Sequence, residues 1–298
     1  MIEVGRLVAL RAVATWGTVT AAAGVLHCTP SAVSQHLAKL ERETGTTLVE
    51  KDGRRLRLTA AGRILAEHAD RVLAAVEEAE AALAAHHETV SGRLTIASFP
   101  TGCRGLLPPA LGRLAIDHPQ LELAVIESDR DPSIDRLQRG TADIALIDEW
   151  PEMRLAFPPG ISFTELGHDV ADLLVPADHP LASSGGPVRL ADAADERWIA
   201  ALPGTVCYEW LLRILPGLRP SVLVAEFETQ LTFVAAGLGI AFLPRLARST
   251  LPQGVVVRPI VPVTARRVLV AWRSAAAVRP AIGATVAALR SSWELYDM

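Results

Sequence analysis

The sequence predicts an α/β protein in three parts: a small helical module with a β-hairpin, a long connecting helix, and two lobes of alternating strands and helices. Three patterns predict it. Short helical repeats crowd the first 45 residues and lead into a hairpin pattern. An apolar stripe at heptad spacing follows, and from Gly92 onward strand and helix patterns alternate.

Residues 4–16 (VGRLVALRAVATW) carry Leu7, Leu10, Val13 and Ala14 at helical spacing. After a Gly-Thr break, Thr18 is placed to cap a second helix over residues 20–26 (TAAAGVL). HCT makes a tight turn, and Thr29 caps a third helix whose first position is Pro30, where the missing N–H costs nothing. That helix runs to about Thr44 and stops at Gly45, with Val33, Leu37 and Leu40 on one side and Ser31, Ser34, Gln35 and Lys39 on the other. Two helices joined by so short a turn form a helix-turn-helix. His36 falls toward the inner side and is expected to pack rather than to read a ligand.

The run TTLVEKDGRRLRLT alternates around Asp52-Gly53 and reads as a two-stranded hairpin, with Arg54 and Arg55 near its tip. Thr59 then caps a long helix in which Leu65, Ala69, Val72, Val76, Ala79 and Leu83 recur at steps of four and three. Such a seam predicts pairing with a second copy of the chain; the bland alternative is packing on the chain's own body.

Beyond Gly92 the expected elements are the strand RLTIASF, a helix from about Thr101 to Asp117, the strand LELAVIE, a helix near Ile134 to Arg139 and the strand DIALID. After residue 160 come ADLLVPA, WIAALP, a helix near Tyr208 to Ile214, SVLVAEF, the helix TQLTFVAAG, IAFLP, VVVRPI, RRVLVAW and a closing amphipathic helix. Strands alternating with helices imply parallel sheet, and two such lobes leave a cleft at the carboxyl ends of their strands. The expected boundaries are 1–58, 59–91 and 92–298, with lobe 1 over about 92–161 plus 267–298 and lobe 2 over about 162–266.

Charge is distributed unevenly. The formal net charge is −4, yet residues 1–64 hold nine cations against five anions, about +4, which leaves about −8 for the rest. A basic module on an acidic body points to nucleic acid as a partner of the first part alone. Three cysteines far apart, with no CxxC spacing, exclude a metal knuckle or a disulfide scaffold, and no cofactor is expected. No basic leader followed by an apolar run is visible, and no 18-residue apolar stretch; a cytoplasmic protein without membrane contact is expected. The eight histidines are scattered, no Gly-rich loop follows a strand, and no nucleophile–base–orienter set emerges, so an enzyme is not expected.

The run VTAAAGVLHCTPSAVSQHLAKLE through LTAAG resembles the winged helix-turn-helix of LysR-type transcriptional regulators, and VAAGLGIAFLPR (residues 234–245) resembles a stretch of that family's effector domain. The likeness spans the chain in the right order and implies a two-lobed, periplasmic-binding-protein-like effector domain. Two positions depart from the family: Val49 stands where an aromatic is common, and Gln35 where Arg is common. The resemblance implies that the third helix enters the major groove of double-stranded DNA. Ser31, Ser34 and Gln35 then face base edges and Pro30 a thymine methyl, while Thr20, Lys39, Arg54 and Arg55 hold phosphates. A bidentate Gln–adenine contact contributes roughly 1–3 kcal/mol of discrimination. It also implies a homodimer through the linker helix, a homotetramer as a dimer of dimers, and a small-molecule effector.

The cleft loops supply the effector candidates Ser98, Phe99, Thr101, Asp148, Thr205, Phe227 and Glu228. Ser98, Thr101 and Thr205 precede helices whose free N–H groups suit an anion, whereas Asp148, Glu226 and Glu228 suit an amine, and the ligand's charge stays open at this level. Cys207 lies in the loop where peroxide-sensing family members keep a reactive cysteine, but no second cysteine follows it closely. The alternatives are an effector-independent DNA binder, a cytosolic small-molecule-binding protein and a redox sensor.

Overall fold

The computed structural model describes the chain except residues 27, 53, 54, 87, 88, 184, 249 and 298, and except the side chains of residues 51, 52, 55, 84–86 and 297. Two compact units divide it: residues 1–89 with 275–280, and residues 90–274 with 281–298.

In the first unit, helices α1 (Val4–Trp16), α2 (Val19–Val25) and α3 (Pro30–Thr44) precede strands β1 (Val49–Asp52) and β2 (Arg55–Leu58) and helix α4 (Ala60–His86). Thr18 Oγ1 accepts from the Ala21 N–H at 3.1 Å and Thr29 Oγ1 from Ala32 at 3.2 Å, so both expected caps satisfy free helix donors. Helix α3 ends where Gly45 takes a left-handed conformation, φ 63°. Leu10, Val13, Val33, Leu37, Leu40 and Leu48 close the core together with Ala69 of α4. The two strands pair antiparallel with Glu50 opposite Arg57, whose side chains meet at 2.7 Å.

Two contacts lock this unit, and neither is a pattern along the chain. Glu41 of α3 accepts from the backbone N–H groups of Leu48 (2.8 Å) and Val49 (3.2 Å), tying helix to wing. Thr59 donates to the Thr47 carbonyl at 2.7 Å and accepts from Gly62 at 3.0 Å, and a Cβ at Gly62 would collide with the Leu48 carbonyl. Helix α4 therefore leaves the wing with backbone against backbone.

The second unit is built on one seven-stranded sheet. Its strands are β3 (Gly92–Ser98), β4 (Leu121–Glu127), β5 (Ile144–Glu149), β6 (Ile161–Pro176), β9 (Ala241–Pro244), β10 (Val255–Arg258) and β11 (Thr264–Arg273), in the order β10-β6-β11-β5-β3-β4 with β9 on β6. Only β3, β4 and β5 are parallel; β6, β9, β10 and β11 pair antiparallel, so the sheet is mixed rather than parallel. The reason is connectivity: no helix separates β5 from β6 or β10 from β11, and a parallel neighbour needs a crossover. Strand β6 is far longer than ADLLVPA, running 16 residues. A glycine, Gly167, stands within it because a Cβ there would collide with the indole of Trp293 on the closing helix α10 (Pro280–Asp297).

Other departures are local. The helix expected over 101–117 breaks into α5 (Pro100–Gly105) and α6 (Leu107–Asp117), since Pro108 and Pro109 fit only the first turn of a new helix. WIAALP and SVLVAEF shrink to the two-residue parallel strands β7 (Ile199–Ala200) and β8 (Val222–Leu223). Helices α7 (Arg130–Arg139), α8 (Val206–Ile214) and α9 (Phe227–Ala235) complete the unit. Trp150, Trp198 and Trp210 anchor its second core, with Trp150 stacked on Trp210 at 4.4 Å. No single helix among the described residues is long and apolar enough to cross a membrane.

Candidate functional site

The outer face of α3 is as expected from its period. Val33, Leu37 and Leu40 are buried while Pro30, Ser31, Ser34, Gln35 and Lys39 are exposed, as is Thr20 on α2. Among these, the Ser34 hydroxyl donates to the Pro30 carbonyl at 3.0 Å, which leaves its lone pairs free to accept. His36 is half-buried. Arg54 lies outside the described residues, and for Arg55 the backbone alone is described, opposite Asp52 in the wing.

On α4 the expected seam divides. Leu65 and Ala69 pack into the first unit's own core, whereas Val72 is 43% and Leu83 65% exposed, with Ile64 beside them at 61%. Val76 is half-buried and Ala79 exposed. The stripe packs on its own body at one end and is left open at the other.

In the second unit, the carboxyl ends of β3, β4 and β5 meet the starts of α8 and α9 around a cavity of about 60 Å³. Phe99, Thr101, Asp148, Thr205 and Phe227 all line it, joined by Asp129, Arg130, Cys207 and Arg266. Ser98 does not: it is fully buried beneath, its hydroxyl 3.1 Å from the Phe99 carbonyl and hard against Gly102. Glu228 does not either, because it forms an ion pair with Arg104. Thr205 caps α8, accepting from Tyr208 at 3.4 Å and donating to the Leu202 carbonyl at 2.8 Å.

The floor of the cavity is a buried charge network. Arg266, 2% exposed, donates to Asp169 through Nε (3.0 Å) and Nη2 (2.9 Å), to Asp148 through Nη1 (3.1 Å) and to Thr101 Oγ1 through Nη2 (2.6 Å). Its guanidinium lies 4.9 Å from the centre of the Phe99 ring. Asp169 also accepts from the Leu246 N–H at 3.1 Å and the Tyr296 hydroxyl at 3.0 Å. Burial opposes the charge on Arg266, but Asp169 and then Asp148 outweigh it and hold the group above its already high value. Burial, followed by Asp169, raises the Tyr296 phenol.

Cys207 sits against this network as a thiol. Burial first, and Asp148 next, push it up to about 12. A peroxide-reactive cysteine needs the opposite shift. Cys103, half-buried with its Sγ 3.5 Å from the Ser98 carbonyl, is raised as well.

Sequence reasoning missed Arg266, Asp129 and Arg130. For Arg266 a signal existed: in ARRVLVAW it occupies the same face as Val268 and Val270, a charge at a core-facing strand position. Asp129 and Arg130 follow the end of LELAVIE, a strand whose carboxyl end borders the cleft.

The family model for the LysR substrate binding domain matches residues 87–294, and that for the bacterial regulatory helix-turn-helix protein of the lysR family matches residues 4–63. This chain belongs to the LysR family. It is a LysR-type DNA-binding transcriptional regulator with an effector-binding domain. The HTH-type transcriptional regulator MetR of Escherichia coli is 32% identical over 264 residues, covering 86% of this chain and 80% of that protein. CysL of Bacillus subtilis is 31% identical over 231 residues, covering 76% and 75%. Among solved structures, a full-length OxyR variant from Pseudomonas aeruginosa superposes with a TM-score of 0.76 at 24% identity, covering 99% of this chain and 95% of that one. Full-length BenM gives 0.58 at 22%, covering 99% and 98%. At such identities the LysR structures speak for fold alone, and the OxyR likeness carries no redox chemistry to Cys207.

Proposed function

We propose that this regulator reads an operator with the outer face of α3 and that a small effector, held in the cavity floored by Arg266, alters that binding. The observation that carries the reading is the polar character of that exposed face: Ser31, Ser34 and Gln35 offer hydrogen-bonding groups without charge, which suits base edges better than phosphates. Pro30 meets a thymine methyl, and Thr20, Lys39, Arg54 and Arg55 hold the backbone in register. Residues 1–58 form the DNA-binding domain, 59–91 the linker and 92–298 the effector domain. Phe99, Thr101, Asp148, Thr205 and Phe227 touch the effector, while Ser98 and Glu228 support the cavity from outside.

The protein works as a homodimer through α4, and two such dimers assemble as a tetramer. Exposed Val72 and Leu83 support this, because apolar side chains at heptad spacing gain by burial against a second copy. The pairing begins at Val72, since Leu65 and Ala69 are already used inside the unit. Effector binding shifts the population between two arrangements of the DNA-binding pairs and so changes DNA bending. The protein is cytoplasmic, needs no cofactor and performs no catalysis.

Footprinting of the full chain on the fragment upstream of its own coding region, with and without a metabolite panel, tests the reading. A protected operator whose extent changes with one metabolite is expected; no protection at any condition would sink it. In parallel, Gln35→Ala should lose about tenfold or more of its preference for the operator while nonspecific binding stays nearly constant. An equal loss on all sequences would remove Gln35 from base reading.

A further inference from the structure

Four charged groups line the effector cavity, Asp129, Arg130, Asp148 and Arg266, and two more carboxylates stand behind the cations. Arg266 and Arg130 line it, yet each already has a carboxylate partner: Asp169 behind Arg266, and Asp131 at 2.8 Å from Nε of Arg130. The Arg130 Nη1 is also occupied, donating to the Met153 carbonyl at 3.0 Å. That leaves Asp129 and Asp148, both lining the cavity, so four carboxylates stand against two guanidinium groups.

The two carboxylates differ in a telling way. The Asp148 side chain is only 7% exposed, and Arg266 takes just its Oδ2; its Oδ1 has no hydrogen-bond partner among the described residues. The Asp129 carboxylate, on an exposed residue at the N-cap of α7, makes neither a hydrogen bond nor an ion pair among them. A nearly buried oxygen left open toward a cavity, next to a second unpaired carboxylate, is a site short of a donor. Burial and then Asp148 raise both Asp129 itself and the neighbouring Cys207, the latter to about 12.

We infer that the effector carries a cationic amine, seated between Asp129 and Asp148, with the rings of Phe99 and Phe227 enclosing the adjoining apolar part. The inference rests on the cavity being the effector site. The cavity, about 60 Å³, takes one end of a ligand, and the two carboxylates place the ammonium head there. An anionic effector meets two open carboxylates, Arg266 already held by Asp148 and Asp169, and Arg130 with its Nε and Nη1 engaged. The amine supplies the missing N–H donors, and the surrounding protein strengthens its attraction to both carboxylates.

Saturation-transfer NMR on the full-length chain with three small probes, ethylammonium, ethanol and acetate, tests this. Ethylammonium is expected to bind in the millimolar range and the other two more weakly. Asp129→Asn should weaken ethylammonium about tenfold, as loss of a charged hydrogen bond does. Ala225→Phe, which plugs the cavity from an exposed position on its rim, should abolish binding. Tighter binding of acetate, itself abolished by Ala225→Phe, would overturn the charge assignment while leaving the cavity as the site. Probe signals indifferent to Ala225→Phe, or no signal from any probe, would overturn both together. An ethylammonium affinity unchanged by Asp129→Asn would overturn the proposed seat.

Discussion

The two units of this protein treat polar side chains in opposite ways. The DNA-binding unit sets uncharged hydrogen-bonding groups on an exposed helix face, where water satisfies them until another surface arrives. The effector unit sinks full charges beneath a cavity and satisfies them with one another: Arg266 with Asp148, Asp169 and Thr101, and Asp169 again with Tyr296 and the Leu246 amide. The first arrangement tolerates substitution because each group stands alone. The second does not, since removing one member strands the rest away from water.

That contrast makes Arg266→Met the most damaging single change. It leaves Asp169, fully buried, without its cation and should cost about 3–5 kcal/mol in urea unfolding of the full chain. A loss below about 1 kcal/mol would mean that the network is no more than a surface-like ion pair. Next comes Glu41→Ala, the place where the DNA-binding unit most resembles its partner. It strips the Leu48 and Val49 amides of a charged acceptor, at about 2 kcal/mol. Hydrogen exchange should accelerate at those two amides, and unchanged protection would show that the wing holds itself.

Lys39→Ala sharpens the other side of the comparison. Folding stability should stay within about 0.5 kcal/mol, because the side chain is exposed. DNA affinity should fall on all sequences alike and its salt dependence should lose about one unit of slope. A sequence-selective loss would make Lys39 a base reader instead. Smallest is Asp129→Asn. Burial, then Asp148 and Asp131, hold this carboxyl above its ordinary value, so the folded protein keeps the proton longer than the unfolded chain does. Its contribution to stability is full below the ordinary carboxyl pKa, about 3.9, and is lost as pH rises through the raised value. At neutral pH the charged side chain is therefore a small burden. The asparagine variant should melt slightly higher at pH 7, with the gain disappearing in acid; a gain that persists in acid would locate its origin outside this titration.

What the sequence disclosed follows the same divide. The exposed face of α3 was legible because it is periodic: burial of Val33, Leu37 and Leu40 dictates what faces outward, and the two threonine caps set the helix ends. Five of the seven cleft candidates converge on one cavity because loops at strand ends are gathered by the sheet. The network under them was illegible, since Arg266 and Thr101 stand 165 positions apart and nothing local announces their meeting. Nor could spacing reveal that Leu65 and Ala69 turn into the unit's own core, or that β6 runs on through Gly167, a position kept bare by an indole from the far end of the chain.

The carboxylate of Glu41 has a bearing on how such a protein changes its targets over evolutionary time. It grips the wing from the last turns of α3, two turns beyond Ser34 and through none of Ser31, Ser34 or Gln35, so those three positions can be exchanged while the Glu41 bonds to the hairpin stay in place. New operators are reachable by single replacements on a reading head whose geometry stays constant, and the capacity to drift between promoters is thus separated from the capacity to fold.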